Sequence, residues 1–260
     1  MSGAVQLVTD GALALVTLSH PARFNAMSRA MWRELRAVFS TLHQRRELRC
    51  VLIRGEGGHF CAGGDISEYT GFRFAEATLR DFHENEVWGG LQAMLDCDLP
   101  IVAQIEGNCM GAGLEIASCC DLRLASESAR FGAPIAKLGF PMAPREAALV
   151  MRAVGELTAR EMLLAAAVLD AAEMKRRGFL NQLEPADALS AAALACAGRI
   201  SQLAPQAARL NKQAFRALAQ YPSAQEATYL IANAYQYAAS PEHREGVTAF
   251  MEKRQPRFGR

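Results

Sequence analysis

Residues 101–120 read IVAQIEGNCMGAGLEIASCC, in which an apolar run leads through a glycine-rich turn into a second apolar run. The first run is short and almost continuously apolar, as in a parallel strand that is covered on both faces. The second run is predicted to be a helix. Residues 50–66, CVLIRGEGGHFCAGGDI, contain a similar strand followed by a glycine-rich turn. Strand and helix patterns alternate up to about residue 135, which predicts right-handed crossovers and a parallel sheet.

Outside these segments, the pattern predicts a hairpin at one end and helices at the other. The apolar runs at 5–9 and 13–18 are joined by Asp10 and Gly11, a pair that favours a tight hairpin turn. Ser28 is a suitable N-cap for a helix that the apolar spacing extends to about residue 48. After Pro144 the predicted helices cover residues 146–153, 158–165, 187–203, 206–219, 224–238 and 242–254. The sequence thus predicts an α/β core followed by a helical tail.

The composition excludes several classes of function. The chain has 260 residues, of which 51% are hydrophobic, and a formal net charge of +1. A charge so close to neutral argues against a nucleic-acid surface, which needs a clustered basic excess. No apolar run reaches the roughly 18–20 residues of a membrane helix, and the N-terminus lacks the pattern of a secretory leader. We therefore expect no nucleic-acid or membrane partner and a cytoplasmic location.

The seven cysteines form no CxxC pair and have no histidine at metal-ligand spacing, so we expect no metal site. Most of them lie within apolar runs, where a free cysteine behaves as a small hydrophobic residue. We expect reduced structural thiols. A nucleophilic Cys61 or Cys109, both close to the glycine-rich turns, is the alternative.

The two glycine-rich turns point to a shared chemical role. The first can leave the backbone N–H of Gly64 unpaired, and the second can do the same for Ala112. Two such donors aimed at one point form an oxyanion hole, and Glu115, one helical turn further on, can move a proton. This arrangement suits the formation of an enolate beside a thioester carbonyl. Taken separately, each turn also fits an ordinary flexible connection between a strand and a helix.

Two placements of Glu115 fit the spacing. An exposed glutamate in the first turn of a helix is stabilised by the helix dipole, and spacing alone favours this placement. A buried glutamate would have its pKa raised by desolvation, which suits an acid or base that works near neutral pH.

Several motifs together resemble the crotonase superfamily, the enoyl-CoA hydratases and isomerases. The two signature turns of that family are similar to FCAGGDI at 60–66 and GNCMGAGLEIASCCD at 107–121. Three further stretches agree in order and spacing, namely HPARFNAM at 20–27, ARFGAP at 129–134 and REGVTAFMEKR at 244–254. Jointly these motifs are specific and span nearly the whole chain.

The resemblance implies a ββα spiral core with an acyl-CoA site over residues 1–200 and a helical C-terminal trimerisation region over residues 201–260. It implies a homotrimer or homohexamer. The N–H groups of Gly64 and Ala112 would hold the thioester oxygen of an acyl-CoA or enoyl-CoA, and Glu115 would be the proton-transfer group. Coenzyme A is then part of the substrate, and no separate cofactor is implied.

The resemblance also implies contacts with coenzyme A. The residues concerned are Arg23, beside the phosphates; Ala62, Asp65, Ile66 and Ser67, along the adenine and pantetheine; and Phe250 and Lys253, in a tail that closes over the ligand. For Arg23 and Lys253, a solvated surface charge fits the sequence equally well.

One departure from the family bears on the reaction. Hydratases of this family grip water between two glutamates; Glu115 matches the first, whereas Ile135 stands where the second is expected. The resemblance therefore implies that standard hydration, and simple isomerisation as well, is impaired or replaced. Glu146 can serve as a substitute acid, although capping of a helix that starts at Pro144 fits the sequence better. Lys137 is a further candidate, for which a surface placement fits better.

Two functions are compatible with these residues. The first is an enzyme, a lyase or an isomerase, that processes a CoA thioester through an enolate. The second is a CoA-thioester-binding protein with little or no catalysis, in which the oxyanion hole is kept and the proton-transfer set is incomplete. A nucleotide-binding domain fits poorly, because no strand is followed by GxGxxG or by a P-loop.

Overall fold

The computed structural model describes residues 3–219 and 241–258. The predicted helix at 224–238 lies outside the described residues. The strands are β1 (Ala4–Asp10), β2 (Leu13–Ser19), β3 (Cys50–Gly55), β4 (Ile101–Ile105), β5 (Asn108–Met110), β6 (Leu122–Ser126), β7 (Arg130–Gly132), β8 (Val168–Asp170) and β9 (Gln182–Glu184). The described helices are α1 (Arg29–Gln44), α2 (Glu76–Asp81), α3 (Trp88–Asp96), α4 (Ala112–Ser118), α5 (Pro144–Val154), α6 (Glu156–Leu164), α7 (Ala171–Arg176), α8 (Ala186–Ser201), α9 (Pro205–Ala219) and α10 (Pro241–Met251).

Six strands form the main sheet, in the spatial order β1-β2-β3-β4-β6-β9. The predicted hairpin is confirmed, because β1 and β2 pair antiparallel around the turn at Gly11. Every later pair in this sheet is parallel, as the alternating pattern predicted. A second sheet, in the order β5-β7-β8, was not predicted. Its strands have three residues each, too few to display the alternation that identifies a strand in a sequence.

The main sheet is covered on both faces, which explains why its central strands are continuously apolar. Val51 and Ile53 pack into the larger core together with residues of α1 and α3. Cys50 and Leu52, which alternate with them along β3, pack against α8 on the opposite face. Because side chains alternate across a strand, a strand with two buried faces needs an apolar residue at every position.

The helices largely follow the predicted pattern. Ser28 caps α1, since its Oγ accepts a hydrogen bond from the Met31 amide at 3.2 Å. The helix ends at Gln44, before the predicted end near residue 48, because the chain becomes extended at Arg45 on its way to β3. A π-helical turn (Phe82–Val87) separates α2 from α3. Among the described helices, none has both the length and the apolar character needed to cross a membrane.

The order of strands brings the two glycine-rich turns together. β3 and β4 are parallel neighbours, with Val51 opposite Ile101 and Ile53 opposite Ala103. The carboxyl ends of parallel neighbours meet at one edge of a sheet, where ligand sites of α/β folds commonly lie. The turn that follows β3 and the turn that follows β4 therefore emerge side by side.

Candidate active site

The two glycine-rich turns are joined by backbone hydrogen bonds. The Cys61 amide donates to the Asn108 oxygen at 2.8 Å, and the Met110 amide donates to the Cys61 oxygen at 2.9 Å. The turns approach so closely that a Cβ atom at Gly113 would lie 2.5 Å from the Cys61 oxygen. Gly111, just before α4, has a φ of +45°, which favours glycine. The glycines thus allow one backbone to lie directly against the other.

Gly64 and Ala112 lie on the wall of one cavity of about 330 Å³. Ala112 is the first residue of α4, so its N–H has no acceptor within the helix. In the described parts of the chain, neither amide donates a hydrogen bond to another protein atom, although the adjacent Asp65 amide donates to the Met27 oxygen at 2.9 Å. Two free backbone donors are therefore available at the wall of this cavity.

Glu115 lines the same cavity and is buried. Burial raises the pKa of its carboxyl group from the ordinary 4.5 to about 8, and the nearby negative charge of Glu146 adds to the effect. The exposed placement that spacing favoured is wrong, and the buried one is confirmed. The physical reason is that α4 is enclosed, with every residue from Ala112 to Ala117 buried. Glu115 can thus keep a proton at neutral pH.

Glu146 also lines the cavity, and only 2% of it is exposed. Its Oε1 lies 3.1 Å from Nδ1 of His83. Its Oε2 is buried and, among the described residues, has no hydrogen-bond partner. The capping role that the sequence favoured is wrong, because α5 begins after Ala143 without a side-chain capping bond. A buried acceptor without a partner costs about 1–3 kcal/mol, so the free Oε2 does not contribute to stability.

His83 was not predicted as a site residue. It lies in the π-helical turn between α2 and α3 and lines the cavity beside Glu146. Turns of this kind occur frequently at functional sites. Its spacing in the sequence could have identified it. One face of this segment repeats at helical intervals and is at least half-buried at each position, namely at Leu79, Phe82, His83 and Val87. A histidine on such a face is directed toward the protein rather than toward solvent.

Aromatic residues that the sequence did not single out cover the cavity near Gly64. The Tyr69 hydroxyl occupies the space that a side chain at position 64 would need, and burial raises the pKa of this phenol. The Arg73 guanidinium lies 4.6 Å from the centre of the Tyr69 ring and 3.8 Å from that of Phe140. Tyr69, Arg73 and Phe140 all line the cavity, so its wall is apolar and aromatic with one cation stacked in it.

The cavity wall also includes the residue that replaces the second glutamate of the family and the two candidate substitutes for it. Ile135 is half-buried and lines the cavity together with Glu115 and Glu146. Lys137 is exposed, as predicted, and still contributes to the wall. The cavity therefore has an aliphatic side chain at the position where the family pattern expects a carboxylate, and a carboxylate from α5 in addition.

Of the four residues expected along the adenine and pantetheine of coenzyme A, two line the cavity and two do not. Ala62 and Ile66 line the cavity. Asp65 and Ser67 do not form its wall in the described structure; the Asp65 carboxylate accepts hydrogen bonds from the Ser67 amide and hydroxyl at 3.1 and 2.7 Å. These two residues hold the turn after Gly64 in shape.

The charged candidates lie at the surface. Arg23 and Lys253 are exposed, and neither forms part of the cavity wall in the described residues. Phe250 lies in α10, and its side chain is outside the described structure.

The cysteines are structural. All seven are free and buried, and neither Cys61 nor Cys109 contributes to the described wall of the cavity. Burial raises the pKa of the Cys61 thiol to about 12 and raises that of Cys109 as well. Burial outside the cavity wall and a raised thiol pKa both argue against the alternative of a nucleophilic thiolate. Within residues 3–219 and 241–258, no group of three potential ligands could hold a metal ion.

Comparison with known sequences gives matches over nearly the whole chain. The sequence profile described as enoyl-CoA hydratase/isomerase matches residues 9–260. A probable enoyl-CoA hydratase of Mycobacterium tuberculosis is 32% identical over 249 residues, which cover 96% of this chain and 95% of that protein. The 2,3-dehydroadipyl-CoA hydratase of Escherichia coli is 31% identical over 248 residues, which cover 94% of each protein.

Solved structures are similar over the same extent. An enoyl-CoA hydratase/carnithine racemase from Magnetospirillum magneticum has a TM-score of 0.93 at 35% identity, covering 100% of this chain and 96% of that one. An enoyl-CoA hydratase subunit from Geobacillus kaustophilus has a TM-score of 0.88 at 29% identity, covering 98% of each chain.

Proposed function

Because this chain belongs to the enoyl-CoA hydratase/isomerase family and has the crotonase fold, we propose that it transforms an acyl-CoA thioester through a stabilised enolate. The N–H groups of Gly64 and Ala112 hold the thioester oxygen, and Glu115 moves the proton at C2. Family membership establishes the enzyme class and the processing of CoA thioesters. The assignment of these three residues is our proposal.

The observation that carries the proposal is the joint position of two unbonded amides and a buried carboxyl group on one cavity. Negative charge that develops on the thioester oxygen is stabilised by fixed donors, which do not have to reorganise during the reaction. The raised pKa of Glu115 suits a group that must take and return a proton near neutral pH. The cavity wall is largely apolar, which strengthens both interactions because apolar surroundings lower the local dielectric constant.

Hydrogen exchange at C2 tests the enolate directly. The purified protein is incubated in deuterium oxide with butanoyl-, hexanoyl- and octanoyl-CoA, and deuterium at C2 is measured by mass spectrometry. We expect exchange with at least one of these thioesters. Glu115→Gln should slow the exchange by about 100-fold or more, the usual contribution of a general acid or base. An undiminished rate in this variant would exclude Glu115 as the proton-transfer group.

Ala112→Pro tests the oxyanion hole, because it deletes the proposed donor. Proline is well tolerated at the first position of a helix, where its missing N–H has no helical partner, and Ala112 occupies that position in α4. We expect a loss of exchange on the order of 100-fold. Ala112→Gly, which keeps the N–H, is the matched control and should exchange at close to the wild-type rate. Equal rates in the two variants would remove the Ala112 amide from the mechanism.

A CoA-thioester-binding protein is the second candidate, and Ile135 on the cavity wall is the observation that favours it. An isoleucine can neither orient water nor donate a proton, so the usual second group of the family is missing at this position. Tight binding of acyl-CoA in calorimetry, without C2 exchange on any thioester of the series, would establish this alternative.

We also propose that the chain binds coenzyme A along Ala62, Asp65, Ile66 and Ser67 and assembles as a trimer or hexamer through residues 201–260. Arg23, Phe250 and Lys253 complete the proposed CoA contacts. In this assembly the C-terminal residues lie at the subunit interface. Sedimentation equilibrium measures the assembly, and a monomer at micromolar concentration would contradict it.

A further inference from the structure

Glu146 has the features of a reactive group rather than a structural one. It is 2% exposed and lines the cavity that also contains Glu115 and the free amides of Gly64 and Ala112. One of its carboxylate oxygens is buried and lacks a partner in the described structure. Buried polar atoms are almost always hydrogen-bonded. An oxygen that is left free at the wall of a substrate cavity is available to a group on the substrate or to water.

His83 holds the other oxygen of this carboxylate. Its Nδ1 lies 3.1 Å from Oε1 of Glu146, and with Nδ1 protonated it donates that hydrogen bond. The two residues come from separate elements, the π-helical turn (Phe82–Val87) and α5. The imidazole packs edge-on against Phe82, with ring centres 5.1 Å apart, so the ring is fixed in place. A fixed partner on one oxygen aligns the carboxyl group and leaves Oε2 as its reactive atom.

The cavity therefore has two carboxyl groups, although Ile135 stands where the family pattern has its second glutamate. Glu115 and Glu146 line the same cavity, and the negative charge of Glu146 contributes to the raised pKa of Glu115. Besides His83, the other titratable groups on the described wall are Tyr69, Arg73 and Lys137. None of these three side chains is a carboxylate. Glu146 is thus the one additional carboxylate on the described wall.

We propose that Glu146, held by His83, is the second proton-transfer group of this cavity and acts together with Glu115. The inference rests on the proposed function and extends it. Glu146 is the catalytic residue, because its free oxygen contacts the reacting water, and His83 is a positioning residue.

The step is the addition of water across the C2=C3 bond of a 2-enoyl-CoA. Oε2 of Glu146 takes one proton from water as the water oxygen bonds to C3. The electron pair of the double bond moves toward the thioester oxygen, which the two amides hold. Glu115 then gives its proton to C2, and the thioester carbonyl is restored. The product gains one hydrogen at C2 and one hydroxyl at C3, and the proton left on Glu146 returns to Glu115 through solvent before the next cycle.

The test compares a reaction that needs one carboxyl group with a reaction that needs two. Exchange at C2 of butanoyl-, hexanoyl- and octanoyl-CoA requires only Glu115, which removes the proton from C2, exchanges it for a deuteron from solvent and returns that deuteron to C2. Conversion of the matching 2-enoyl-CoAs, followed by loss of the conjugated enoyl absorbance, requires both groups. For Glu146→Gln, we expect conversion to fall by about 100-fold or more and exchange to fall much less, since the two proton-transfer steps are separate.

The matched control is Glu84→Gln. Glu84 adjoins His83 in the chain and forms a half-exposed ion pair with Arg145, the neighbour of Glu146, at 3.2 Å. It is not part of the described cavity wall, so we expect both reactions at wild-type rates. Thermal unfolding of every variant verifies that the fold is retained.

Variants of His83 separate positioning from mere packing. His83→Phe removes the hydrogen bond and should lower conversion by about tenfold, as expected for one bond to a charged group. It should also shift the acidic limb of the pH profile of conversion. His83→Asn retains a donor near the position of Nδ1 and should restore most of the lost activity. Equal losses in the two variants, with an unchanged pH profile, would show that His83 only packs.

The outcomes distinguish this inference from the proposed function. If the wild-type protein shows no C2 exchange with any thioester, the proposed function fails, and this inference fails with it. If exchange occurs but Glu146→Gln converts 2-enoyl-CoAs at the wild-type rate, the inference alone is overturned. Exchange without conversion in the wild-type protein, or equal loss of exchange and conversion in Glu146→Gln, would also overturn it.

Discussion

Replacement of Glu115 by glutamine should make the protein more stable, and increasingly so as the pH rises. The carboxyl group of Glu115 is buried in α4 on the wall of the cavity, and burial together with Glu146 raises its pKa to about 8. Glutamine has nearly the same shape and has no proton to release. The substitution therefore removes the free-energy cost of ionising a buried acid. The glutamine amide changes the free energy of unfolding only by an amount that is independent of pH.

The magnitude follows from the two pKa values. Between the ordinary value of 4.5 and the folded value of about 8, the native protein keeps a proton that the unfolded chain has released. Stability then falls by about 1.4 kcal/mol for each pH unit. Over the whole window this amounts to a loss on the order of 5 kcal/mol in the wild-type free energy of unfolding, complete above pH 8 and absent below pH 4.5. Glu115→Gln lacks this loss.

Urea unfolding measures the effect. The free energy of unfolding of the wild-type protein and of Glu115→Gln is determined at intervals from about pH 5 to about pH 8.5, and the difference should widen steadily across this range. Glu84→Gln, a substitution of a half-exposed glutamate, is the control and should follow the pH dependence of the wild-type protein. Parallel curves for wild type and Glu115→Gln would refute the reasoning, because they would mean that Glu115 titrates alike in the folded and unfolded chains.

Three further substitutions test other parts of the structure. Gly113→Ala places a methyl group 2.5 Å from the Cys61 oxygen and should cost about 1–3 kcal/mol in the free energy of unfolding, measured in urea, with loss of C2 exchange. Ser28→Ala removes the cap of α1 and should cost about 1 kcal/mol in thermal unfolding, with C2 exchange unchanged. Arg73→Met removes a cation that lies 3.8 Å from the centre of the Phe140 ring and should cost about 1 kcal/mol. Because CoA is anionic and Arg73 lines the cavity, this variant should also bind acyl-CoA more weakly in calorimetry. Each expectation has its own contradicting result. For Gly113→Ala it is unchanged stability, for Ser28→Ala it is altered C2 exchange, and for Arg73→Met it is unchanged affinity for acyl-CoA.

Local patterns were sufficient to predict several strands of the main sheet and its parallel character. The hairpin at Gly11, the cap at Ser28 and the apolar strands β3 and β4 all depend on interactions within a few residues. Side-chain periodicity and turn conformation are properties of short segments, so they can be recognised without knowledge of the fold. The motifs around the two glycine-rich turns were also sufficient for the family.

Short strands and side-chain environments could not be predicted in this way. β5, β7 and β8 have three residues each and exist because they pair with one another. Spacing favoured an exposed Glu115 and a capping Glu146, whereas both side chains are buried on one cavity. Burial depends on what packs against a residue, and a first-turn glutamate looks the same in a sequence whether its helix is enclosed or exposed.

The sequence by itself determined the strand–turn–helix units and the family, because these follow from local periodicity and from backbone conformations that glycine permits. Only the tertiary structure decided which acidic groups share the cavity. His83 and Glu146 are 63 residues apart in the chain, and Gly64 meets Ala112 only because β3 and β4 are parallel neighbours. Contacts between such distant segments depend on the packing of whole elements, which no short stretch of sequence encodes.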